Sequence, residues 1–183
     1  TMGKPGTSDF ESYLIQNDMV RAWEYNFHDP GFPPILYGED VLWLKADKNG
    51  HIQVVNSNRD VLFSFAVYTD ILYSVSRFNI WNDHWVLLAR DFLIQDGVIL
   101  NEELGFQEIF NWRLIEDKPA YFFRKGPRMG FSYDGMILPL EYQEIAHHLC
   151  CGYATNNPYI GNGKTHFFGM RNGVWYYVVV DFK

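Results

Sequence analysis

The densest reactive chemistry in the chain is the run His147-His148-Leu149-Cys150-Cys151. Imidazole and thiolate are the groups that zinc or copper selects, and a thiolate can also act as a nucleophile. Zinc ligands usually stand roughly two to four residues apart in pairs, with a second pair drawn from elsewhere, and this run does not keep that spacing. On a strand, His148 and Cys150 would share one face, while His147, Leu149 and Cys151 would share the other. A metal centre would need further ligands from His28, His51, His84 or His166, which no spacing in the sequence brings together. The expectation is therefore packing and hydrogen bonding. His147, His148, Cys150 and Cys151 stay as candidate binding residues, and no metal or cofactor is expected. Adjacent cysteines can bridge only through a strained ring, so both thiols are expected reduced.

Carboxylates are the other candidates. Glu102 and Glu103 are neighbours, and Glu108 and Glu144 recur at equivalent places in a repeated phrase. Glycoside hydrolysis needs two acids facing each other across a cleft. Recurrence at equivalent positions suits a structural task better, such as accepting the backbone N–H groups of a turn. The chain has no GxSxG elbow, P-loop or GxGxxG stretch, so nucleophile-elbow and phosphate-cradle chemistry find no support, and no catalytic residue is assigned. Asn157-Pro158-Tyr159-Ile160 reads as loop chemistry. The six tryptophans suggest another activity, because exposed aromatic rings stack on sugars or anchor protein partners. Trp81, Trp112 and Tyr153 lie beside expected turns and are the candidates for exposure.

The elements that must position these groups are mostly strands. Asp96-Gly97-Val98-Ile99-Leu100 leads to Phe106-Gln107-Glu108-Ile109, and Asp134-Gly135-Met136-Ile137-Leu138 leads to Tyr142-Gln143-Glu144-Ile145. A phrase repeated after 36 to 38 residues signals a repeated supersecondary unit. Asn49-Gly50 and Asn172-Gly173 each stand between apolar runs and predict tight hairpins. Hairpin units are expected near 41–67, 84–110, 120–146 and 166–181, closing as a small barrel or propeller-like ring or stacking as a solenoid. In each unit Asp-Gly makes the turn, the aliphatic pair after it enters the core, and Phe106 or Tyr142 packs on the neighbouring unit. Residues 1–8 are expected to be a disordered tail or cloning scar. Ser8-Asp9 with Glu11 could open a helix over 9–25, placing Phe10, Tyr13, Leu14, Val20 and Trp23 roughly on one face. The predicted fold is all-β with a short N-terminal helix.

From Met129 to Ile145 the chain resembles a single WG repeat of the bacterial family of that name. Gly130, Gly135, Ile137, Pro139, Tyr142 and Ile145 match the pattern, with Met129 in place of the Trp and Gln143 in place of the usual Asp. Residues 92–109 are similar, with Asn101 at the proline position and an insertion after it. The stretch from Lys118 to Phe123, taken with Ser132-Tyr133-Asp134-Gly135, also resembles bacterial proteins that are often exported. The resemblance covers about a third of the chain. It implies a β-rich binding or interaction module and supplies no catalytic residues.

Composition sets the outer limits. A net charge of −7 in 183 residues, without a stripe of Lys and Arg, argues against nucleic acid or an anionic membrane as partner. The longest apolar run, Val174 to Val180, is strand-sized and too short to cross a bilayer as a helix. An aromatic content of 18% suits strands and a real core. The reading is a non-enzymatic binding module for a protein, small-molecule or carbohydrate partner, in an extracytoplasmic bacterial setting with any signal peptide removed. The alternative is a hydrolase or metal-dependent enzyme centred on His147 to Cys151. An enzyme would need those groups and a carboxylate to converge in a cleft.

Overall fold

Tight turns set the architecture, and their chemistry is the part most directly written in the sequence. Asp96-Gly97, Asp134-Gly135 and Asn172-Gly173 all hold positive φ at both residues, between 49° and 85°. That geometry matches the right-handed twist of the strands on either side, and glycine, asparagine and aspartate are the residues that reach it cheaply. The computed structural model describes residues 11–16, 19–24, 32–47, 49–66, 75–139, 141–147, 157–161 and 163–182. Within them the protein is almost wholly antiparallel β, with one short helix. The tail at 1–8 lies outside the described residues, and so do His28, His148, Cys150, Cys151 and Tyr153.

The helix expected over 9–25 is not formed. Strand β1 (Glu11–Gln16) pairs with β2 (Met19–Glu24), with Gln16 opposite Met19. Only Asn17 and Asp18 stand between them, a two-residue connection of the type hairpins favour. Tyr13, Ile15, Val20 and Trp23 are β-branched or aromatic, so the residue types suit strands better than the loose helical spacing suits a helix.

Four further sheets follow in chain order. The first contains β3 (Ile35–Tyr37), β4 (Asp40–Ala46), β5 (His51–Val55) and β6 (Val61–Ala66). The second contains β7 (Val75–Trp81), β8 (His84–Ala89), β9 (Phe92–Gln95) and β10 (Val98–Ile99). After helix α1 (Leu100–Leu104) the third contains β11 (Glu108–Ile115), β12 (Lys118–Lys125), β13 (Arg128–Tyr133) and β14 (Met136–Ile137). The fourth is built on β17 (Lys164–Arg171), flanked on one side by β15 (Glu144–Ile145) and β16 (Tyr159–Gly161) and on the other by β18 (Val174–Asp181). Each of the first three is a meander in which neighbours in sequence are neighbours in space. The units are thus four strands, and the first three begin one strand before the hairpins the sequence suggests.

Alternation along each strand joins the sheets in a row. Leu42, Leu44, Ile52 and Val54 of the first sheet meet Trp85, Leu87 and Ile94 of the second in one buried cluster. The opposite face of the second sheet, through Val86, Leu88 and Leu93, packs on Ile109, Trp112, Tyr121 and Phe123 of the third. The third sheet then turns Phe110, Phe122 and Phe131 towards Ile145, Ile160 and Phe167 of the fourth. Middle sheets apolar on both faces and covered on both are a layered arrangement that buries much surface with few residues.

The two Asp-Gly phrases diverge just after their turns. The insertion in the first phrase is α1, closed by Gly105 in the left-handed conformation. Asn101, buried at its start, accepts a hydrogen bond from the Leu93 N–H at 2.9 Å and donates to the Asp91 carbonyl at 2.8 Å. A proline could not do this. In the second phrase Leu138 packs against the core while Met136 and Ile137 are exposed, so the expected burial of that aliphatic pair is only half right. Among the described residues the β14 strand carrying Ile137 is the edge of its sheet. Phe106 and Tyr142 do pack where expected. Phe106 stacks on Phe123 with centroids 4.2 Å apart, and Tyr142 meets Phe167 edge-on at 5.3 Å. Gly169 makes room for Tyr142, since a Cβ there would come within 2.6 Å of its ring.

Candidate functional site

Of the His147–Cys151 run, the structure describes only His147, which pins the third sheet to the fourth. Glu108 opens β11 and stands opposite Arg124 of β12, whose Nε donates to Glu108 Oε2 at 3.0 Å. His147, two residues beyond Ile145, places Nε2 2.5 Å from Glu108 Oε1 and Nδ1 2.6 Å from the Ile145 carbonyl. A carboxylate and a carbonyl both accept, so the two contacts are satisfied together only when both ring nitrogens donate, that is, by the imidazolium form. It lies on Phe110 with centroids 3.9 Å apart, and its side chain is only 8% exposed. Burial pushes the Glu108 carboxyl up, but the hydrogen bonds from His147 and Arg124 outweigh it and hold the group below its ordinary range. Burial likewise pulls His147 down, and its hydrogen bonds to Glu108 and the Ile145 carbonyl outweigh that and hold it above.

This geometry makes a clamp. To act as a base or bind a metal, His147 would first have to lose a ring proton and, with it, one of two short charge-assisted hydrogen bonds. Glu108 therefore takes side-chain donors, where the sequence suggests turn N–H groups. Glu144, its counterpart in the second phrase, is exposed in β15. Elsewhere, His51 turns to Asp47 and His84 to Asp96, each beside a hairpin turn and far along the chain from His147.

Trp81 and Trp112 are brought together, Trp81 half-exposed and Trp112 buried rather than at the surface as expected. They line one cleft of about 260 Å³ between the second and third sheets, with Leu100, Tyr121, Gln95 and Asp134. Trp112 is 2% exposed, because it sits beside a bulge between Phe110 and Arg113 and turns into the cluster joining the two sheets. Trp81 is half-buried, and its Nε1 donates to the Asp117 carbonyl at 2.8 Å. One polar tip satisfied and one apolar body packed is the usual state of a buried indole.

Among the described residues, exposed aromatic side chains gather elsewhere, on the outer side of the fourth sheet. In β17, Thr165, Phe167 and Gly169 are buried towards the third sheet, which turns His166, Phe168 and Met170 outward. Register places Val179, Tyr177 and Trp175 of β18 opposite those three. Tyr159 of β16 stacks on His166 at 4.7 Å, His166 leans on Tyr177 at 5.6 Å, and Phe168 meets Tyr177 at 5.1 Å. Trp175 is 47% exposed and Tyr177 57%. On β17 and β18 charges stand only at the strand ends, where Lys164 pairs with Asp181 at 3.5 Å and Arg171 lies over Tyr176, and on β15 Glu144 is exposed beside Met170 on the same face.

No family model, curated protein or solved structure matches the chain. What it can do must be read from these surfaces.

Sequence reasoning missed this face. An unbroken apolar run such as Val174 to Val180 reads as a strand covered on both sides, because in most sheets it is. The available signal was the pairing across Asn172-Gly173. Counting outward from that turn sets Trp175, Tyr177 and Val179 opposite Met170, Phe168 and His166, so the two strands share one aromatic face.

Proposed function

We propose that the chain is a non-enzymatic binding module of the WG-repeat kind its Asp-Gly phrases resemble, and that the outer face of its last sheet receives the partner. The observation that carries this reading is that face itself: adjacent aromatic rings on paired strands, without a charge between their ends. Soluble chains rarely keep a contiguous apolar patch of this kind in water unless it meets something. Rings held on strands lose little freedom on binding, and they suit either a protein surface or the apolar face of a sugar ring. The engagement of both His147 nitrogens supports a structural role over a catalytic one at that residue.

The test is binder selection from a displayed peptide library and a glycan array, read with the wild type, the double variant Trp175→Ala/Tyr177→Ala, and Trp81→Ala. Ligands kept by Trp81→Ala and lost by the double variant are the expected result. Ligands lost only by Trp81→Ala would move the site to the cleft between the second and third sheets and overturn the assignment.

A further inference from the structure

Resting on that reading of the outer face, we propose that its partner is a second copy of this chain, the two fourth sheets packing face to face about a twofold axis near Tyr177. The protein's own construction argues for this. Its sheets already associate through apolar side chains presented by alternate residues of facing strands, three times in a row. The outer positions Tyr159, His166, Phe168, Trp175, Tyr177 and Val179 have the composition of such an inner face, and no sheet among the described residues packs on them. A twofold axis gives each copy's patch an identical patch as its complement, which is the commonest form of self-association.

Area and charge agree. With an aromatic side chain worth about 150–250 Å² and these roughly half exposed, the patch amounts to about 500 Å² per copy. Two copies then bury about 1,000 Å², the lower bound for a specific interface. A chain of net charge −7 resists self-association wherever acidic groups would meet. On β17 and β18 the only acid on this face is Asp181, paired with Lys164 at one end, and Glu144 of β15 stands beside Met170 at the other end, away from Tyr177. The contact is expected to be weak and reversible, as its size dictates.

Sedimentation velocity over a wide concentration range tests the idea with the full chain. The wild type should pass from monomer to dimer, and Tyr177→Asp should weaken the dimer by about 30-fold or more, the effect of removing a central aromatic anchor. Val61→Asp, at an exposed position of the first sheet, should leave it unchanged. A wild type that stays monomeric throughout overturns the proposal, and so does a dimer indifferent to Tyr177→Asp and Phe168→Asp or broken by Val61→Asp. Should the wild type be monomeric while the double variant loses its selected ligands, self-association fails and the binding role of the face stands. Should the dimer form and no ligand depend on the face, the surface serves assembly alone.

Discussion

Strands β12 and β18 are both eight residues long, and both carry aromatic or β-branched side chains on each face. In β12, Tyr121 and Phe123 enter the cluster shared with the second sheet while Ala120 and Phe122 enter the one shared with the fourth. In β18, Val178 and Val180 pack inward against that last cluster, and Trp175, Tyr177 and Val179 face solvent. The local sequences would support the same burial. What separates them is place in the row: the third sheet has a neighbour on each side, and the fourth has one among the described residues. Apolar content on a strand face therefore specifies a contact, and the architecture decides whether that contact lies within the chain or between molecules.

The largest expected effect is at the covered strand. Phe122 is fully buried, with its centroid 4.7 Å from that of Phe131 and 5.0 Å from that of Phe167. Phe122→Ala should cost about 3–5 kcal/mol, the transfer of the ring plus the cavity it leaves between the third and fourth sheets. Equilibrium unfolding in urea checks it. A loss under about 1 kcal/mol would mean that the sheets do not share a core there, which would break the comparison at its root.

How much of this was legible beforehand depends on range. The strands flanking Asn49-Gly50 and Asn172-Gly173 follow from turn chemistry, which involves a few adjacent residues. The burial of Phe106 and Tyr142 follows from the repeated phrase. The N-terminal hairpin was misread because Phe10, Tyr13, Leu14, Val20 and Trp23 also fit a loose helical face, and pairing in register across Asn17-Asp18 outweighs that pattern. The clamp was half legible. His147 stood out by type, but Glu108 is 39 residues away and Arg124 lies between them, so only the pairing of β11 with β12 and the approach of β15 bring them together. Trp112 was placed beside a turn and expected outside, and a bulge in β11 turns it inward. A bulge shifts which face a residue occupies without any unusual residue at the site.

The clamp gives a second, smaller effect that sharpens the contrast, because it fastens the fourth sheet only on its covered side. His147 titrates above its ordinary value of 6.5 in the folded protein, so its stabilisation is complete below pH 6.5 and fades as pH rises through the raised value. Glu108 titrates below its ordinary 4.5, so its share is present above pH 4.5 and fades as pH falls through the lowered value. The pair should therefore stabilise most between about pH 4.5 and 6.5, with a decline on the alkaline side as His147 loses its proton. Glu108→Gln should cost about 1.5–3 kcal/mol in that window, the usual worth of a hydrogen bond to a charged group. It should also flatten the alkaline decline. Urea midpoints for the wild type and variant across this range decide it, and parallel profiles would show that the imidazolium is not what holds the sheets.

The smallest effect is expected at the uncovered strand, and it is the sharpest test of the contrast. Tyr177 touches His166 and Phe168, its neighbours on the same face, but no other layer among the described residues lies over it. In protein dilute enough to be monomeric, Tyr177→Ser should change unfolding free energy by no more than about 0.5 kcal/mol, as at an ordinary surface position. At high concentration the wild type should gain apparent stability by mass action if copies associate through this face, and the variant should not. The two unfolding curves would then coincide when dilute and separate as protein is added. A cost at dilution comparable with that of Phe122→Ala would mean that part of the same chain covers the outer face, making β18 an inner strand like β12. The difference between them would then be one of degree of burial, and the search for a partner would have to move to the cleft at Trp81.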